Sequence, residues 1–170
     1  EVIEEEGLAE HFEFVEQNSE TMHNLLERLL LYSRIDKLSS SKNRIGLISL
    51  LQRTCITGKL GLNEVDADVS VKLPDGVSEV EVYFNEDHAS TVFKELFKNA
   101  VLFRSNERKL EINIEVDIID DNRILVSFSD NGIGIDEHYQ DYVFQVFNRL
   151  HSKKEFPGNG IGLAICKRIV

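Results

Sequence analysis

The chain has 170 residues, with 30 acidic side chains against 19 Lys and Arg and a formal charge of −11. Such a length holds one domain, or one domain with a helical appendage, and 42% apolar with 29% charged residues suits a chain that buries a real core. The acidity argues against nucleic acid and against direct contact with a membrane surface, since both reward clustered Lys and Arg.

The first 35 residues read as one long helix. Leu8, Phe12, Val15, Ser19, Met22, Leu26, Leu29 and Ser33 recur at spacings of four and three, a heptad seam with two polar steps. Phe14, Leu25, Leu30 and Leu31 widen that stripe toward a bundle face. Residues 1–20 hold eight Glu and no Lys or Arg, so the outer face is anionic. The polar run Asp36-Lys37-Leu38-Ser39-Ser40-Ser41-Lys42-Asn43-Arg44 has no apolar period, which places a linker over 37–44 between a helix at 1–36 and a mixed domain at 45–170.

Beyond the linker a short helix is expected from Ile48 to about Thr57. Alternation predicts strands at 67–71 and 80–84, with Pro74-Asp75-Gly76 a turn between them. Residues 87–103 read as a helix with Val92, Phe93, Leu96, Phe97, Ala100 and Phe103 on one face. Two alternating segments, 110–118 and 124–128, flank the hairpin signal Asp120-Asp121-Asn122. Helical patterns return at about 136–147 and 160–170. No apolar run reaches the ~20 residues of a bilayer span, and the N-terminus lacks a signal-peptide layout. Cys55 and Cys166, far apart and outside any CxxC pattern, suit a reducing cytoplasm better than a disulfide framework or zinc site.

Three motifs could carry chemistry. Asp130-Asn131-Gly132-Ile133-Gly134-Ile135 follows directly on a strand; its glycines admit close approach to a flat ligand, and a carboxylate at the strand end can accept from an exocyclic amine. Asn-Gly is also a hairpin signal, but a helical pattern follows instead of a return strand. Gly158-Asn159-Gly160-Ile161-Gly162-Leu163 opens the last helix, where backbone N–H groups can cradle phosphate. It is no dinucleotide fingerprint, because a polar loop and no strand precedes it, and no Walker loop, because no Gly-Lys-Ser/Thr follows. In the helix before both, Glu95 and Asn99 share one face, and the Asn amide oxygen is a hard ligand suited to Mg²⁺.

This order of motifs resembles the ATP-binding fold shared by histidine kinases, gyrases, mismatch-repair ATPases and heat-shock chaperones of the ninety-kilodalton class. Phe144-Gln145-Val146-Phe147-Asn148-Arg149-Leu150 resembles the phenylalanine box of histidine kinases, and 141–170 and Asn99-Ala100-Val101-Leu102-Phe103-Arg104 are similar to phytochrome-type sensor kinases. Met22-His23-Asn24-Leu25-Leu26 through Leu30-Leu31-Tyr32-Ser33-Arg34 resembles the second helix of their dimerisation hairpin. The resemblance implies an α+β fold, a two-layer α/β sandwich behind a long helix. It implies ATP and Mg²⁺ as ligands: Asp130 accepts from the adenine amine, Gly132 and Gly134 shape its pocket, and Asn99 holds the ion. Gly158, Gly160, Gly162 and Leu163 line the triphosphate beneath a lid over 149–157, with Arg149, Lys153 and Lys154 as its cations. Glu95 stands where related ATPases carry a general base.

Some features depart from that pattern. The family usually carries Lys or Arg where this chain has Leu102, with Arg104 the substitute. No segment matches the first dimerisation helix with its phosphoacceptor histidine, and His11 and His23 are expected to be ordinary surface or bundle histidines. The family adds strands beyond the last helix, so the chain is expected to be part of a larger sensor kinase. That resemblance implies transfer of phosphate to a histidine elsewhere, relay to a response regulator receiver domain, a homodimer through the front helices and a cytoplasmic location. The alternatives are a degenerate nucleotide-binding regulatory domain and an ATPase of the gyrase or chaperone type. Segments 94–109 and 145–170 carry net charges of +3 and +4, which leaves −18 on the other 128 residues. The expected nucleotide site is thus basic within an acidic shell.

Overall fold

The computed structural model describes residues 2–38, 42–57, 62, 65–120, 123–153 and 155–170. Two compact units divide the chain, 1–37 and 38–170. The first is a single helix, α1 (Val2–Leu38), about 55 Å long at 1.5 Å per residue. Phe12, Val15, Met22 and Leu26 of the heptad seam are more than half exposed along it.

The second unit starts with β1 (Asn43–Gly46) and runs directly into α2 (Leu47–Thr57). A polar lead-in hides this strand in the sequence, because only Ile45 of its four residues is buried; one apolar residue makes no period. Of the expected linker, Lys37 and Leu38 belong to α1 and Asn43 and Arg44 to β1, and residues 39–41 lie outside the described residues.

Next come β2 (Ala67–Lys72), β3 (Glu81–Phe84), α3 (Glu86–Leu102), β4 (Leu110–Asp120), β5 (Arg123–Asp130) and α4 (Gly162–Ile169). The turn between β2 and β3 closes with Val77 N–H donating to Pro74 O at 3.1 Å. β1 pairs antiparallel with β3, Ile45 opposite Val82. A second sheet has the order β2-β4-β5, with β2 parallel and β5 antiparallel to the central strand. Residues 121–122 of the hairpin signal lie outside the described residues, but β4 and β5 pair on either side of them.

Burial follows the sequence pattern closely in β4, whose Leu110, Ile112, Ile114 and Val116 point inward while Glu111, Asn113 and Glu115 point out. Against this row lie Phe93, Phe97 and Ala100 of α3 and Leu47, Leu50 and Leu51 of α2. Phe97 is fully buried and meets Phe128 of β5 edge to face at 5.2 Å. α4 packs beside α3, and Cys166 Sγ–H reaches Val92 O at 3.8 Å. Cys55 and Cys166 are both free thiols. Helices on one side and a mixed sheet on the other make the expected two-layer α/β arrangement.

The helix expected over 136–147 is replaced by two single 3₁₀ turns, Glu137–Tyr139 and Tyr142–Phe144. Asp136 caps the first turn, its Oδ1 accepting from His138 N–H at 2.9 Å. Asn148 Nδ2 donates to Tyr142 O at 3.2 Å, taking a carbonyl that a continuing helix would need.

Candidate functional site

The site is assembled at the C-terminal end of α3. Asn85 caps the other end, its Oδ1 accepting from His88 N–H at 2.9 Å, and Glu86 and Asp87 complement the dipole in the first turn. Its apolar face, fixed on the sheet by Phe93, Phe97 and Ala100, leaves Asn99 half-buried at the last turn. Among the described residues no hydrogen bond ties up the Asn99 side-chain amide. Glu95, one turn earlier, is buried at 9% exposure.

Phe103 closes the helix and joins the parts of the site. Its N–H donates to Asn99 O at 2.9 Å, and its own carbonyl accepts from Ile133 N–H at 3.0 Å. The turn after β5 can approach this closely only because residue 132 is glycine: a Cβ there would lie 2.6 Å from Phe103 O. Asp130, the last residue of β5, folds over the same turn, its Oδ1 accepting from Gly132 N–H at 2.9 Å. Asn131 holds the turn to the start of β4: Oδ1 accepts from Glu111 N–H and Nδ2 donates to Lys109 O, each at 2.9 Å.

The third motif arrives through the lid. Phe147 N–H donates to Gly160 O at 2.9 Å, so the segment between them is a loop closed at its base. Gly160 has φ +65, and a Cβ on it would sit 2.7 Å from Asn148 O. Phe147 itself has φ +69, a left-handed conformation that costs a non-glycine residue about 1 kcal/mol. Within the loop, Arg149 Nη2 donates to Phe156 O. The Phe156 ring lies 4.9 Å and the His151 ring 5.8 Å from Phe103, and the two lid rings are 4.8 Å apart. Glu155 is fixed by Ser152, whose hydroxyl and amide donate to it at 2.8 and 3.1 Å and hold its carboxyl below the ordinary range. A cavity of about 490 Å³ opens here, with Leu102, Arg104, Ser105, Ile133, Glu155 and Phe156 among its lining residues.

Asn99, Asp130, Gly132 and Gly160 are thus linked through Phe103 and the lid. Gly134 continues the Asp130 turn, and Gly158 lies in the loop before α4. Gly162 and Leu163 open α4, whose N-cap residue Ile161 supplies no side-chain bond to the first N–H groups. Arg104 lines the cavity, with Nη1 donating to Val101 O at 2.8 Å. Lys153 is exposed, and Lys154 lies outside the described residues. His23 lies on α1, exposed and 3.3 Å from Glu27 Oε1. Sequence patterns do not mark Phe103 or Asn131 as site residues. Asn131 stands within the Asn-Gly signal, whereas Phe103 works through its backbone, which its residue type does not disclose.

Residues 84–170 match the family model for histidine kinase-, DNA gyrase B- and HSP90-like ATPases. Cyanobacterial phytochrome A from Nostoc sp. is 31% identical over 162 residues, covering 95% of this chain and 20% of that protein. The sensor protein kinase WalK from Staphylococcus aureus is 27% identical over 169 residues, 98% of this chain and 40% of that one. This chain therefore spans only a fifth to two fifths of these relatives. Among solved structures, full-length ShkA in complex with AMPPNP superposes with a TM-score of 0.72 at 19% identity, covering 90% of this chain and 31% of that one. The described fold is the one that protein has.

Proposed function

The chain belongs to the family of histidine kinase-, DNA gyrase B- and HSP90-like ATPases, and we propose that it serves as the ATP-binding catalytic domain of a two-component sensor kinase. In this reading it moves the γ-phosphoryl group of ATP to a histidine carried outside the domain, for relay to a response regulator receiver domain. The observation that carries it is the convergence on Phe103. Its N–H binds the Asn99 turn, its carbonyl the Asp130–Gly134 turn and its ring the lid.

Each part has a role that its chemistry supports. Asp130 at the strand end accepts from the adenine amine, while Gly132 and Gly134 admit the flat base. The uncapped N–H groups at Gly162 and Leu163 donate to phosphate oxygens, with the α4 dipole adding to them. Gly160 lets the lid backbone approach, Gly158 supplies a positive φ that favours glycine, and Arg104, Arg149, Lys153 and Lys154 supply positive charge. Phosphoryl transfer needs little covalent help from the protein, so positioning and charge neutralisation are the main tasks.

Mg²⁺ fits this site through Asn99, whose amide oxygen has no hydrogen bond among the described residues. When bound, the ion neutralises charge on the phosphate oxygens. Among the described residues no group of three or more His, Cys, Asp and Glu could hold a metal alone, which agrees with an ion that keeps water and phosphate ligands. The exposed seam Phe12, Val15, Met22 and Leu26 of α1 supports a homodimer through the front helices. No helix among the described residues is long and apolar enough to cross a membrane, and we place the domain in the cytoplasm.

The test supplies γ-labelled ATP, Mg²⁺ and, in trans, a kinase hairpin bearing an acceptor histidine. Label is expected on the hairpin histidine only when this chain is present. Label on His11 or His23 would contradict the assignment of an outside acceptor. ATP hydrolysis without transfer, lost in Glu95→Ala, would favour the gyrase-type reading instead.

A further inference from the structure

Arg108 belongs to none of the three motifs, yet its side chain holds one of them. Its Nε donates to Asn131 O and its Nη2 to Gly132 O, both at 2.8 Å. Two parallel donors on two successive carbonyls use the planar guanidinium as a fork, which an ammonium cannot reproduce. The paired register of β4 and β5 ends at Ile112 opposite Asp130. Past that point the Asn131 backbone N–H donates to Glu111 O at 3.2 Å, and its side chain bonds Glu111 N–H and Lys109 O. Arg108 then takes the two turn carbonyls. The base of the fork is itself anchored, because Lys109 Nζ lies 2.9 Å from Asp66 and 3.0 Å from Asp68.

From the far side, Ile133 N–H is fixed to Phe103 O. The turn is therefore gripped at both flanks, and Asp130 Oδ1 is bonded to its middle at Gly132 N–H. Arg108 also follows directly on 104–107, residues that share the lining of the cavity with Ile133. One side chain thus ties two walls of that cavity together.

We propose that Arg108 is a positioning residue for base recognition: its fork sets the depth and tilt of the 130–133 turn from which Asp130 reads the adenine amine. This rests on the reading of Asp130 as the adenine acceptor. Arg108 is exposed, so its bonds compete with water and add little to stability. Their effect is on geometry, where a displacement of about 1 Å is enough to impair a hydrogen bond to the ligand.

Equilibrium binding of ADP, GDP and inorganic triphosphate to the full chain and to Arg108→Ala and Arg108→Lys tests this. In Arg108→Ala, ADP affinity is expected to fall about ten-fold, while GDP and triphosphate binding stay within about two-fold, so the preference for adenine collapses. Arg108→Lys keeps the charge without the fork and should recover less than half of the lost preference. Unchanged preference in Arg108→Ala, or full recovery in Arg108→Lys, would overturn the proposal, the second by making the effect one of charge alone. Should Arg108→Ala fail to fold, the preference of Arg108→Lys decides by itself: lost supports the fork, retained refutes it. A wild-type chain with no adenine preference would instead remove the Asp130 reading, and this assignment with it.

Discussion

At the scale of single residues, the site depends on backbone groups as much as on side chains. Asp130, Asn99 and the glycines are legible in the sequence because their chemistry is in the side chain, or in its absence. Phe103 is not, since a carbonyl and an N–H belong to every residue and only the fold shows where they point. Its ring adds a second role by stacking on His151 and Phe156 of the lid. Phe103→Ala keeps the backbone bonds but deletes that stack. It should cost about 2 kcal/mol of stability, less than the roughly 3–5 kcal/mol of a core Phe→Ala because Phe103 is only half-buried. Urea unfolding checks the stability, and faster proteolysis between 149 and 157 would report the freed lid.

At the scale of elements, long periodic segments announce themselves in the sequence and short ones do not. β4 alternates over seven residues before its outer end turns to solvent, and α3 keeps an apolar stripe through four turns, so each imposes its own period. β1 offers one buried residue, and in 136–147 the Asn148 side chain takes a backbone carbonyl, Tyr142 O, that a longer helix would use. α2 shows a further feature that no local pattern reveals. Its first turn has no acidic residue, and its N-terminus is capped by Glu79 from across the fold. Ile48 N–H donates to Oε1 at 2.7 Å, with Ser49 Oγ and N–H on Oε2 at 2.8 and 3.2 Å. Gly46 leaves room for this carboxylate, as a Cβ there would lie 2.7 Å from Oε2.

Burial alone works to raise the Glu79 pKa, but these donors and Val80 N–H outweigh it and hold the carboxyl below its ordinary 4.5. A depressed folded-state value contributes stability that is complete above the unfolded value and lost as the pH falls through the folded one. Glu79→Gln should therefore cost about 1 kcal/mol at pH 7. The gap between variant and parent should close as both are taken well below pH 4.5. Denaturant titrations across that range measure it.

For the whole molecule, the net charge of −11 proves a poor guide to the ligand. The basic segments 94–109 and 145–170 contain the end of α3, the lid and α4, the elements that build the site, while eight Glu sit in the first twenty residues. In the proposed reading a nucleotide is therefore met locally by positive charge and backbone N–H groups. The two-layer fold and the order of the three motifs are legible in the sequence, because both rest on periodicity and side-chain chemistry. How the motifs meet is not, since the hydrogen bonds that join them run between residues 30 apart, from Phe103 to Ile133, and 13 apart across the closed lid.

Calorimetric titration of ATP into the full chain and Asp130→Asn tests most directly the proposed ATP site in which Asp130 reads the base. One ATP per chain is expected for the parent. Asp130→Asn should weaken binding by about 100-fold or more, because an amide group replaces the paired acceptor, while its unfolding midpoint stays near that of the parent. Equal affinity in the two chains, or no binding by the parent, would contradict the account.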